Sequence, residues 1–181
     1  MKATGIVRRI DDLGRVVIPK EIRRTMRIRE GDPLEIYTDN DGEVIFKKYS
    51  PIGELSNFAG QYAEVLYKTH GIPVAVCDRD HVVAAAGIPK KEILERRVAP
   101  QLEEIIEHRK NYAYTDPDQH KKVFPIEGVE RYTTVVSPIL ASGDVCGCIM
   151  FMSGEGGGTA GETEIKLIQT AAAFLGKQME E

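Results

Sequence analysis

Turn-forming residues recur so closely in the first 48 positions that no element there can be long. Asp11, Asp12 and Gly14, then Pro19, then the run 30–32 (EGD), then 39–42 (DNDG) cut the segment into short pieces. Residues 5–10 (GIVRRI) and 15–18 (RVVI) read as strands flanking the first turn. Pro19 suits the first position of a helix continued by KEIRRTM, with Ile22 and Met26 four apart on one face. PLEIYT (33–38) alternates Leu34, Ile36 and Thr38 against Glu35 and Tyr37. EVIFKK (43–48) returns across the DNDG hairpin turn. The expected order is β-β-α-β-β. Such a module can bury few side chains, and domains this small need disulfides, a metal or a partner subunit. The first cysteine is Cys77, and no metal-ligand cluster precedes it. The remaining solution is that two copies share one core.

Charge divides the chain in the same way. Residues 1–29 hold nine Lys or Arg against three acids, or +6, so a chain of net charge −4 carries −10 in the remainder. A basic module joined to an acidic one points to a polyanionic partner. Arg8, Arg15, Arg23 and Arg24 lie in or beside DDLGRVVIPKEIRRTM (11–26), and no obvious acidic partner accompanies each. Glu21, three residues before Arg24, is spaced to form a helix ion pair with it. In a strand, Arg8 and Arg9 point to opposite faces. Arg23 and Arg24 are about 100° apart on a helix, and neither shares the Ile22–Met26 face closely.

YSPIGEL (49–55) interrupts both patterns with Ser50, Pro51 and Gly53. The expected division is a first domain over 1–50, a linker at 51–55 and a second domain over 56–181. The second opens with a helix carrying Leu55, Phe58, Tyr62 and Leu66 at helical spacing, ended by Gly71. IPVAVCD (72–78) and HVVAAAG (81–87) form a hairpin around Arg79-Asp80. Residues 90–109 are helical, broken near Pro100, and Tyr112 to Phe124 reads as polar loop. RYTTVVSPIL (131–140) and VCGCIMFMS (145–153) flank a turn at 142–144. Thr159 and Glu162 have capping-box spacing before a helix with Ile165, Ile168, Ala172 and Leu175 inward. The layout is α+β, an antiparallel sheet bracketed by terminal helices.

Other signals have simpler readings. Cys146-x-Cys148 lies in a strand, with both sulfurs on one side, and suits small buried residues better than a metal or redox pair. Asp116, Asp118 and His120 fit polar loop chemistry better than metal ligation. GEGGGTAG (154–161) lacks the Lys-Ser/Thr of a phosphate loop. His70 and His81 read as cap and turn residues. No Ser/His/Asp or Cys/His set is credible as a triad, so the expectation is a non-enzyme without catalytic residues, cofactor or metal. No apolar run approaches the ~18 residues of a membrane span. MKATGIVRRIDD lacks the apolar region of a secretory signal, and an odd set of three cysteines suits a reduced, cytoplasmic setting.

The stretch GIVRRIDDLGRVVIPKEIRRTMRIREGDPLEIY, a strand followed by D-x-L-G-R-V-V-I-P-K-E-I-R and then G-D-x-L-E, resembles the AbrB family of transition-state transcription regulators over the whole first module. The resemblance implies a swapped-hairpin β-barrel dimer that binds double-stranded DNA at promoters. The positions matching the family's DNA-contacting arginines are Arg8, Arg15, Arg23 and Arg24, with Lys2 and Arg9 nearby. The second module resembles a GAF domain in architecture. That implies a small-molecule effector held between sheet and helices, and Tyr112 to Arg131 is the long loop that a lid would use. The other reading of this module is an assembly role. In the latter, helices 54–70 and 162–179 pair between dimers to give a tetramer. The combination resembles regulators of spore development in Bacillus-type bacteria. The expected function is a cytoplasmic, sequence-specific regulator of sporulation genes, as activator, repressor or both. The alternative is an antitoxin-type DNA-binding autoregulator paired with a toxin, since some antitoxins share the swapped-hairpin fold. Antitoxins usually carry a disordered toxin-binding tail, whereas here a long folded module follows.

Overall fold

The computed structural model describes residues 4–180 of the chain. The chain divides into two compact units, Met1–Tyr49 and Ser50–Glu181.

In the first unit, α1 spans Lys20–Thr25, β1 spans Leu34–Thr38 and β2 spans Val44–Lys48. The two strands pair antiparallel, with Leu34 opposite Lys48 and Thr38 opposite Val44. Their turn is closed by the Asp39 side chain, which accepts from the Asp41 and Glu43 amides at 3.1 and 2.9 Å. The segments 5–10 and 15–18, expected as strands, have no ladder within one chain. Only their turn is closed: the Asp11 amide donates to the Arg15 carbonyl and the Gly14 amide to the Asp11 carbonyl, each at 3.0 Å. An alternating apolar segment becomes a strand only where a neighbour accepts its backbone hydrogen bonds, and a single chain supplies none here.

This unit has almost no interior. Pro19 is the one buried residue among those described. Val7 is 88% exposed, Ile10 72% and Val17 71%, and Leu13 and Ile36 are open as well. What holds the unit locally is polar. The Asp32 carboxylate accepts from the Arg29 amide at 2.8 Å and lies 3.6 Å from the Lys48 ammonium. That ammonium also donates to the Arg27 carbonyl at 2.9 Å.

The second unit begins without a free connector. Residues 51–55 were expected to link the domains, but Pro51–Glu54 is a helical turn, α2, capped by the Ser50 hydroxyl, which accepts from the Gly53 amide. Ile52 within it is fully buried, so the segment belongs to the core. Ser50, Pro51 and Gly53 do break both flanking patterns, but here they start a helix instead of a loop.

Next come α3 (Ser56–His70), β3 (Val74–Cys77), β4 (Val82–Ala86), α4 (Lys90–Ile93) and α5 (Pro100–Glu107). The chain then continues through β5 (Tyr112–Ala113), β6 (Thr133–Ala141), β7 (Asp144–Met152) and α6 (Glu162–Gln178). The sheet has the order β4-β3-β7-β6-β5 with every neighbouring pair antiparallel. Strand alternation sends Val74, Val76, Ile149 and Phe151 to one face, against α3 and α6. Ala75, Cys77, Cys148, Met150 and Met152 go to the other, against α4 and α5. The architecture is the antiparallel α+β layout expected.

Three local differences have physical causes. Tyr112 and Ala113, expected in loop, form a two-residue edge strand on β6. Helix α6 starts two residues later than the Thr159–Glu162 spacing suggested. Its cap is Gly161, whose amide donates to the Glu164 carboxylate at 2.8 Å. On α3 the buried face is Ala59, Ala63 and Leu66. Phe58 and Tyr62 lie beside it and meet the Phe174 ring of α6, at 5.9 and 5.5 Å between centroids.

The start of α6 and the end of α3 are tied by His70 Nε2 and Glu164 Oε1 at 2.8 Å, with the His70 ring stacked on Phe151. The His70 contact, followed by hydrogen bonds to the amides of Glu164 and Gly161, holds the Glu164 carboxyl below its ordinary range. A depressed carboxylate adds stability that is complete above the ordinary glutamate value of about 4.3 and is lost as pH falls through the lower folded value. Urea melts at pH 6 and pH 3 should therefore show wild type losing more stability than Glu164→Gln over that interval. Equal losses would show that the pair contributes nothing.

Candidate nucleic-acid interface

The arginines of the first unit are set out by two devices, a tight turn and a short helix. The turn is built on Asp11. Its Oδ1 accepts from the Leu13 and Arg15 amides at 3.0 and 2.8 Å, and Gly14 at φ 75° closes the reversal. That φ is strained for residues with a side chain, which explains the glycine. Arg15 leaves the turn with its side chain 69% exposed. The helix is opened by Pro19 and closed at Met26, whose amide donates to the Ile22 carbonyl at 2.8 Å. Arg23 and Arg24 occupy its last turn, both exposed, where positive charge also complements the carbonyl end of the helix.

Arg8 and Arg9 are both exposed in the segment before the turn. Without a ladder, one chain alone does not sort them onto opposite faces. Lys2 lies outside the described residues. Among the described residues no ion pair joins Glu21 to Arg24, so the helix pairing allowed by their spacing does not occupy that arginine.

Arg15 does have an acidic partner: its Nε donates to Asp11 Oδ2 at 2.9 Å. The two are four residues apart, a spacing that signals pairing on a helix. Here a turn brings them together, which is why helix-based reasoning overlooked the pair. Asp11 in turn is held below the usual aspartate range, by the Arg15 amide first and its guanidinium next.

The other sequence candidates sit in a turn or in the core. Asp116 Oδ1 accepts from the Asp118 amide and the Asp116 carbonyl from the His120 amide, as a turn requires. Cys77 and Cys148 face each other across β3 and β7, both fully buried, and burial pushes the Cys77 thiol well up, with the Cys148 thiol adding to it. Tyr112 to Arg131 is tied down at several points. The Tyr112 hydroxyl donates to the Lys121 carbonyl at 2.7 Å, and Val123 bridges to Thr133. The second unit also has an open cleft of about 550 Å³, lined by Gly53, Ser56, His81, Val82, Leu94 and Glu95 among others. No helix among the described residues is long and apolar enough to cross a membrane.

Comparison with known proteins places both units. A family described as "Stage V sporulation protein T C-terminal, transcription factor" matches residues 54–180. A second, "Antidote-toxin recognition MazE, bacterial antitoxin", matches residues 7–53. Stage V sporulation protein T of Bacillus subtilis is 53% identical over the whole of both chains. The transition state regulatory protein AbrB of the same organism is 65% identical over 51 residues, 28% of this chain and 52% of that one. The GAF domain of an Acinetobacter phosphoenolpyruvate-protein phosphotransferase superposes with a TM-score of 0.55, covering 69% of this chain and 81% of its own, at 10% identity. At that identity the likeness is one of fold.

Proposed function

This chain belongs to the stage V sporulation protein T family of sporulation transcription factors, and from that premise we propose how its two units divide the work. Residues 1–50 of two chains close one shared barrel and carry Arg8, Arg15, Arg23 and Arg24, with Lys2 and Arg9 beside them, to double-stranded promoter DNA. Residues 56–181 assemble these dimers into a tetramer and receive a small-molecule effector. The protein acts in the cytoplasm, as a regulator and not as an enzyme.

The observation that carries this reading is the mismatch in the first unit between apolar content and burial. Several large apolar side chains stand open around a single buried proline. A face of that kind is covered by a partner in a stable protein, and a second copy supplies the missing strand neighbours as well. The arginines are polar and exposed, and among the described residues they have no competing partners apart from the Asp11 contact on Arg15. Guanidinium groups meet phosphates and guanine edges as planar forks. For the second unit, support comes from the GAF-like fold and from the half-open aromatic group of Phe58, Tyr62 and Phe174 on α3 and α6.

The match of residues 7–53 to an antitoxin description favours a second reading, an autoregulator held by a toxin. The folded unit over 50–181 weighs against it. The test of the main reading is promoter binding by the intact protein in a mobility-shift assay as Arg15 and Arg23 are removed. Unchanged binding by both Arg15→Ala and Arg23→Ala would overturn it.

A further inference from the structure

We propose that Asp11 is a positioning residue for Arg15, holding its guanidinium by Nε so that the terminal amino groups face outward as a preset fork for the duplex. This rests on the reading above, in which Arg15 meets DNA, and it adds a role for the acid beside it.

An acid at a DNA-binding surface is unexpected on charge alone. A carboxylate repels phosphates, and removing one should tighten binding, most at low salt. Asp11 is nonetheless bonded on both oxygens. Oδ1 accepts from the Leu13 and Arg15 amides and shapes the turn. Oδ2 accepts from Arg15 Nε at 2.9 Å. Among the described residues no other bond to the Arg15 guanidinium is recorded, so its four terminal N–H donors are open. The tie limits a long, rotamer-rich side chain before DNA arrives, so less freedom is lost on binding. The same contacts, the Arg15 amide first and its guanidinium next, hold the carboxyl below the usual aspartate range.

The two oxygens can be separated by substitution. Asp11→Asn keeps an oxygen for the two amides, and so the turn, but presents an amino group where Oδ2 accepted from Arg15. Asp12 provides the matching control. It is the next residue, exposed and without a side-chain bond among the described residues, and Asp12→Asn removes the same charge.

The experiment is a titration of a promoter duplex with the intact protein, carrying each substitution singly and in an Arg15→Ala background. Asp11→Asn is expected to weaken binding by about three- to ten-fold, the scale of a lost pre-orientation in each of two chains. Asp12→Asn should leave binding equal or tighter. In the Arg15→Ala background the weakening by Asp11→Asn should vanish, leaving binding equal or tighter as for Asp12→Asn. In nitrogen-15 spectra of the free protein the Arg15 Nε–H signal should be protected in wild type and lose that protection in Asp11→Asn, while the Leu13 amide is unmoved. If Arg15→Ala itself binds like wild type, the underlying reading fails. If Arg15→Ala is weak but Asp11→Asn binds as well as wild type or better, positioning by Asp11 is overturned. It is equally overturned if Asp11→Asn weakens binding as much without Arg15 as with it.

Discussion

Intact protein carrying Arg15→Ala together with Arg23→Ala should fold, assemble as wild type does, and lose promoter binding by a factor on the order of 10⁴. The magnitude follows from the chemistry of the contact and from symmetry. A charge-assisted hydrogen bond is worth about 1.5–3 kcal/mol, and each single substitution removes it twice in a dimer. Even at the low end, one substitution costs about 3 kcal/mol, roughly 10²-fold, and two substitutions multiply unless they share a phosphate. The fold should survive because neither side chain is buried and α1 has no buried residue. Alanine also favours the helix at position 23. Circular dichroism and sedimentation of the variant check that premise, and the mobility shift checks the loss. A drop of less than ten-fold would mean that these arginines are not the main contacts.

A large effect on stability is expected at a glycine in α6. A Cβ added to Gly176 would run into the carbonyl oxygen of Leu140 on β6, which is backbone and cannot swing away. The helix sits that close because position 176 has no side chain, and Leu175 and Ala172 beside it are buried against the same sheet. Gly176→Ala should therefore destabilise the second unit by about 3 kcal/mol or more, at or above the usual upper end for overpacking. Its melting temperature should fall on the order of 10 °C. Gly60→Ala is the internal contrast. Its Cβ would lie 4.0 Å from that of Ala84, an ordinary contact. There the helix gains up to about 1 kcal/mol from alanine's propensity, so the expected change is neutral or stabilising. Thermal melts that rank the two variants in the opposite order would refute this account of how α6 docks.

How far the sequence could be read depended on whether each signal was local. The β6–β7 hairpin was legible because Ser142 and Gly143 both take positive φ, as its two-residue turn demands. The C-terminus of α3 was legible from Gly71, which takes φ 75°. The segments 5–10 and 15–18 carry a strand pattern but find no ladder within the chain, a difference that the proposed shared barrel would account for. Residues 51–55 misled because Pro and Gly mark helix starts as well as loops. At the candidate site, the arginines stood out by number and type. Asp11 did not, because its role comes from a turn geometry that charge counting cannot see.

The most direct measurement is the salt dependence of binding to a duplex just long enough for one first-unit dimer. The logarithm of affinity falls with the logarithm of salt concentration by about 0.9 for each phosphate neutralised. Arg23→Ala, measured in the intact protein against wild type, is predicted to reduce that slope by about 1.8, because the two-fold arrangement removes two contacts at once. A reduction of about 0.9 would contradict the shared, symmetric module. An unchanged slope would contradict phosphate contact by Arg23.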